Sequence, residues 1–132
     1  MDKLEAIFAL QLGFQEKLKR ERNLQDIPME QWIQKQTLAM LSELAELLEE
    51  VNFKWWKNPH ELNTGNIREE LSDILHFFVS MCIEAGMSAE DLYNTYVGKN
   101  RENVRRQDGL SEKPGYAVHP DTVASMQNTE QS

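Results

Sequence analysis

Leu38-Ala-Met-Leu-Ser-Glu-Leu-Ala-Glu-Leu-Leu-Glu-Glu-Val51 is the stretch whose reading decides the fold. Its leucines recur every three or four residues, the spacing of one helix face, whereas a strand would alternate every second residue. The apolar residues fill about half of the helical circumference and are expected to face the core. Glu43, Glu46, Glu49 and Glu50 share the opposite arc, and no Lys or Arg lies between Gln36 and Asn52 to balance them. An isolated Glu-x-x-Glu is more often a solvated face than a ligand set. Here the missing cations make the stripe unusual for a plain solvent surface.

The same pattern returns downstream. Glu70-Leu-Ser-Asp73 again places two carboxylates three apart on one helix face. If the two helices pack side by side, four carboxylates converge, and each like-charged pair about 5 Å apart costs roughly 3 kcal/mol at an effective dielectric near 20. Such a cluster needs a cation, and all-oxygen ligands select a hard divalent ion, above all Mg2+, with Mn2+ as a substitute. Phe77 lies on the arc of Glu70 and Asp73 with His76 at its edge, while Ile67, Leu71, Ile74, Leu75, Phe78 and Cys82 form a core stripe elsewhere on the helix. Phe77 therefore marks a second, partly enclosed surface.

Working outward, Leu4, Ile7, Phe8, Phe14 and Leu18 define a first helix over about residues 2–22. Pro28 opens the second, which continues to Val51. The connector Asn52-Phe-Lys-Trp-Trp-Lys-Asn-Pro-His60 is rich in aromatic residues, and Pro59 and Gly65 keep it from being one helix. A third helix is expected over about 67–85 with Gly86 as its C-terminal stop, and a fourth from the Ser88 to Asp91 capping pattern to about Gln107. The fold class is all-α, a bundle of four or more helices. Residues 1–120 are expected to form one domain. Residues 121–132 are expected to be a disordered tail, with Lys113-Pro-Gly-Tyr116 able to fold back over a site as a lid.

Composition narrows the classes. The 132 residues carry a net charge of −8, which opposes binding of polymeric nucleic acid through the overall field but leaves room for a small phosphorylated ligand. Cys82 is the only cysteine, so no intrachain disulfide forms, consistent with a reducing, cytoplasmic setting. The N-terminus lacks the pattern of a signal peptide, and no run is long enough for a membrane span.

Basic and amide residues supply recognition. Lys99, Asn103 and Arg106 fall at i, i+4 and i+7, a stripe suited to phosphate, although cations near a helix C-terminus also complement its dipole. Lys54 and Lys57 flank Trp55 and Trp56 and are candidates for an opposing phosphate clamp. Gln11, set between Phe8 and Phe14, is an amide on an apolar stripe that needs partners. A neighbouring helix can satisfy it, and so can a nucleobase edge. Asn100 and His76 are further candidates for the base, and Trp32 reads as core.

In order along the chain, these residues resemble the all-α, MazG-like nucleoside triphosphate pyrophosphatase superfamily, and within it the dimeric dUTP diphosphatases. The resemblance covers most of residues 4–116. It rests on the Glu43/Glu46 and Glu70/Asp73 motifs, Phe53-Lys-Trp-Trp-Lys57, Lys99-Asn-x-x-Asn103-x-x-Arg106-Gln107 and Gly115-Tyr116. The Asp108-Gly-Leu-Ser-Glu-Lys-Pro114 stretch departs from it by separating Arg106 from Tyr116 more widely than the pattern does. The resemblance implies Mg2+-dependent hydrolysis of dUTP, and of dUDP as a second substrate, to dUMP. It implies Glu43, Glu46, Glu70 and Asp73 as metal ligands and Glu46 as the base for the attacking water. It also implies Lys54, Lys57, Lys99, Asn103 and Arg106 on the phosphates, Gln11, His76, Phe77 and Asn100 on the base and sugar, and a homodimer or dimer of dimers. Two other functions fit the residues: a related pyrophosphatase acting on dCTP or non-standard nucleotides, and a non-enzymatic helical interaction module.

Overall fold

The computed structural model describes residues 1–115, which place the chain in the all-α class: four helices and, among the described residues, no strand. Helix α1 spans Lys3–Arg22, α2 Met29–Glu50, α3 Thr64–Glu84 and α4 Ala89–Gln107. The chain divides into two compact units, Met1–Glu90 with α1 to α3, and a second beginning at Asp91. Tyr116 and the expected disordered tail lie outside the described residues.

Local chemistry sets the helix ends. Asp2 caps α1 by accepting from the Glu5 N–H at 2.8 Å, and Lys19, Arg20 and Arg22 complement the dipole in the last turn. Asn23 then adopts the left-handed conformation that closes the helix (φ 55°). Helix α3 begins at Thr64, one turn earlier than the apolar pattern suggests, because Asn63 accepts from the Asn66 N–H at 3.0 Å. Gly65 therefore sits inside the first turn. A Cβ there would meet Asn63 Oδ1 at 3.3 Å, so the glycine leaves space for the cap. At the other end, Gly86 (φ +79°) lets the Met87 N–H reach back to the Cys82 carbonyl at 2.9 Å, closing α3 as its sequence suggests.

Helices α2 and α3 run antiparallel: Trp32 meets Ser80 near one end, Glu43 lies by Glu70 midway, and Asn66 bonds Glu50 near the other. Helix α1 runs in the same sense as α3, with contacts from Phe14 to His76, Gln15 to Ser80 and Lys19 to Glu84. Among the described residues the buried apolar side chains are few: Phe8, Trp32, Val79 and Cys82 from these three helices, and Ala89 at the start of α4.

Here the structure corrects the leucine reading. Leu38, Leu41, Leu44, Leu48 and Val51 lie on the outside of the chain, as do Leu71, Leu75 and Phe78 of α3, and α2 turns Glu43 and Glu46 toward Glu70 instead. Amphipathic periodicity locates an apolar face but not what covers it. No helix among the described residues is long and apolar enough to cross a membrane.

In the second unit, α4 ends in a turn where the Leu110 N–H bonds the Arg105 carbonyl at 2.8 Å and Gly109 takes φ +73°. Glu102 collects Ser111 Oγ at 2.7 Å and Arg106 Nε at 3.3 Å. These contacts hold its carboxyl below the usual range, Ser111 contributing most.

Candidate functional site

Three of the four motif carboxylates meet. Glu43, Glu46 and Glu70 each offer an oxygen within 4.8 Å of the others, because an i, i+3 pair on α2 faces the matching turn of antiparallel α3. Glu43 Oε2 and Glu70 Oε2 are shielded from solvent without a hydrogen-bond donor. The Glu43 carboxyl stands within hydrogen-bonding reach of Glu70 and favours the protonated form of Glu70. This interaction, ahead of burial and of the neighbouring Glu46 carboxylate, pushes Glu70 up to about 7. Asp73, one turn along α3, is exposed and offers no oxygen to the group. Orphaned carboxylate oxygens in an all-oxygen, like-charged set are what a hard divalent cation satisfies, so these residues fit one.

Two pockets share Gln11, Phe14 and His76 as walls, the first between α1 and α3 and the second among α1, α2 and α3. The first, about 370 Å³, is completed by residues including Leu10, Ser72 and Leu75. The second, about 260 Å³, reaches inward to Trp32, Gln36, Phe77 and Ser80. His76 stands between Phe14 and Phe77, its ring centroid 5.1 Å and 5.2 Å from theirs in edge-on contacts. Gln11, His76 and Phe77, all candidates for the base, thus line one place. Gln11 is buried, and its side-chain amide forms no hydrogen bond to another described residue.

A buried polar chain backs the inner pocket, and of its members the sequence pattern singles out Trp32 alone. The Trp32 indole N–H donates to Ser80 Oγ at 2.9 Å, Ser80 donates to Gln15 Oε1 at 2.8 Å, and Gln15 Nε2 donates to Glu84 at 2.5 Å. Lys19 closes the chain as an ion pair with Glu84 and lies 4.7 Å from the Trp32 ring centroid. An indole N–H only donates and a carboxylate only accepts, so every bond between them has one possible direction. Gln15 sits four residues after Gln11, and this repeat of a glutamine on the stripe of Phe8 was the available signal.

Axial spacing joins the two features. Gln36 and Glu43 are seven residues apart on α2, and Phe77 and Glu70 are seven apart on α3. Seven residues are two turns, so on both helices pocket and acids share a face about 10 Å apart.

The cationic candidates come from the connector and from α4. In the connector, Lys54 pairs with Glu49 at 2.8 Å, and Lys57 shares with it a small cleft of about 90 Å³. The Lys54 pairing, chiefly by hydrogen bond, holds the Glu49 carboxyl low. Trp55 and Trp56 are exposed and meet edge-on at 5.7 Å. His60 closes the connector: its ring nitrogens face the Glu61 and Glu49 carbonyls at 2.9 and 2.8 Å, which raises its pKa. Lys99, Asn100 and Asn103 are exposed on α4 in the second unit, where Arg106 pairs with Glu102 and approaches Asn103 Oδ1 at 3.5 Å.

The model of a dUTPase family matches residues 3–88, which hold all three helices of the site. The dCTP pyrophosphatase of Enterobacteria phage T4 is 45% identical over 42 residues, covering 32% of this chain and 25% of the relative. That of Enterobacteria phage LZ5 is 50% identical over 42 residues, covering 32% and 24%. The match thus spans about a quarter of the length of these curated relatives. No solved structure matches the chain.

Proposed function

The chain belongs to the dUTPase family, and from that premise we propose that it is a Mg2+-dependent nucleotide pyrophosphohydrolase that converts dUTP to dUMP and pyrophosphate, with dUDP as a second substrate. One observation carries the reading: a base-sized pocket and a cluster of carboxylates share the α2–α3 seam, two helical turns apart. A nucleotide lying along that seam puts its base among Gln11, His76 and Phe77 and its phosphates at the acids.

Each group has a distinct task. Glu43, Glu46 and Glu70 hold the cation, and Asp73, one turn along α3 from Glu70, is the proposed fourth ligand. A bound Mg2+ would neutralise charge on the phosphate oxygens and ease deprotonation of water. Glu46 is exposed, unlike its two neighbours, and so is the carboxylate best placed to take a proton from the attacking water. Phe14, His76 and Phe77 exclude water from the base. Lys54, Lys57, Lys99, Asn103 and Arg106 are the proposed phosphate ligands and Asn100 a further base contact. The ring of exposed apolar residues on α2 and α3 favours a homodimer or a dimer of dimers.

The second reading is hydrolysis of dCTP, favoured by the names of the two phage relatives. The experiment is pyrophosphate release from dUTP, dCTP, dTTP and UTP with Mg2+, with and without EDTA. Turnover of dUTP that EDTA abolishes supports the proposal, and preference for dCTP replaces it with the second reading. No turnover of any nucleotide leaves the helical interaction module.

A further inference from the structure

The inner pocket offers a ligand fewer polar groups than its lining suggests. The Trp32 N–H is occupied by Ser80, the Ser80 hydroxyl donates to Gln15, and the Gln15 amide is held at its oxygen by Ser80 and at its nitrogen by Glu84. These three side chains form a wall whose bonds are already made. Two primary amides remain, Gln11 from α1 and Gln36 from α2, and neither side chain has a hydrogen bond to another described residue. Neither amide is among the solvent-shielded orphan atoms, so both keep polar atoms open to a molecule entering the pocket. Gln36 follows Trp32 by one turn and precedes Glu43 by two, so it lies on the seam along which the proposed substrate runs.

We propose that Gln36 is a specificity-determining residue that, with Gln11, hydrogen-bonds the edge of the pyrimidine base in the inner pocket. The inference rests on the nucleotide reading above. An amide both donates and accepts, which matches the adjoining carbonyl and ring N–H of uracil. The Trp32–Ser80–Gln15–Glu84 chain positions the wall against which this pair works, its side chains being held by one another.

The test uses the full chain and three proteins: wild type, Gln36→Met, which keeps the volume but removes the hydrogen bonds, and Gln36→Glu, which accepts but cannot donate. Calorimetric binding of dUMP and dCMP is measured beside KM and kcat for dUTP and dCTP. With Gln36→Met, the Kd for dUMP and the KM for dUTP are expected to rise about fivefold to tenfold with kcat within about twofold, the usual size of one lost neutral hydrogen bond. With Gln36→Glu, the ratio of kcat/KM for dUTP over dCTP is expected to fall about tenfold, because a carboxylate repels the uracil carbonyl and accepts from the cytosine amino group. The ratio is independent of how much of the variant is folded. Unchanged Kd in the first variant and an unchanged ratio in the second would overturn the role of Gln36 while leaving the enzyme reading intact. A wild-type protein that neither binds nor hydrolyses any pyrimidine nucleotide overturns both.

Discussion

At the scale of single residues, the chemistry concentrates in three carboxyls that repel one another. Because Glu70 titrates near 7 in the folded chain and near 4.5 ordinarily, its proton favours the folded form. That contribution is complete below about pH 4.5 and disappears as the pH rises through about 7. In EDTA the melting temperature is therefore expected to fall across that window. Glu43→Gln, which removes the leading cause of the shift, should flatten the decline and raise the melting temperature at pH 8. The same substitution should abolish turnover. A solvated acidic face would instead give a flat profile in both proteins, so calorimetry with and without EDTA separates the two cases. Added Mg2+ is expected to displace the proton and erase the pH dependence.

At the scale of elements, the three helices are locked together more by polar directionality than by apolar volume. Trp32, Ser80 and Gln15 are almost fully buried, at 2%, 1% and 2% exposure, and each comes from a different helix. Removing the middle member strands a donor and an acceptor together. Ser80→Ala is therefore expected to destabilise the chain by about 1–3 kcal/mol, seen as a drop of several degrees in melting temperature, whereas Ser42→Ala on the exposed side of α2 changes little. An unchanged melting temperature for Ser80→Ala would mean that the chain of bonds contributes no net stability. The connector follows the same logic on a smaller scale. Asn52, in the left-handed conformation at φ 57°, both donates to and accepts from the His60 backbone, tying the tryptophan segment into a loop.

At the scale of the whole molecule, the inverted α2 is the informative feature. A helix that exposes Leu38, Leu41, Leu44 and Leu48 while turning acids inward is stable only if another surface covers the leucines. We expect light scattering after gel filtration to give a mass of twice or four times the chain's 15.4 kDa and Leu41→Glu to reduce it to one. A wild-type monomer would remove the second copy as the covering surface. The same face bears on activity, because Glu43 and Glu46 sit on the helix that the leucines anchor.

Helix identity, order and most boundaries were legible in the sequence, since they follow from spacing and from local caps such as Asp2 and Gly86, which act within a turn. So were the pairing of Glu43, Glu46 and Glu70 and the meeting of Gln11 with His76 and Phe77, because periodicity places side chains on a common face. Tertiary structure alone decided which face turns inward, since a wheel cannot distinguish burial within the chain from burial against a second copy. It alone separated Asp73, which is exposed, from the three acids that meet. It alone revealed the chain from Trp32 to Lys19, whose partners lie 48, 65, 69 and 65 residues apart and meet only when three helices pack. A sequence carries the local terms of a fold explicitly. The pairing of distant donors and acceptors exists only in the packed state, where each bond's direction is set by what remains unsatisfied.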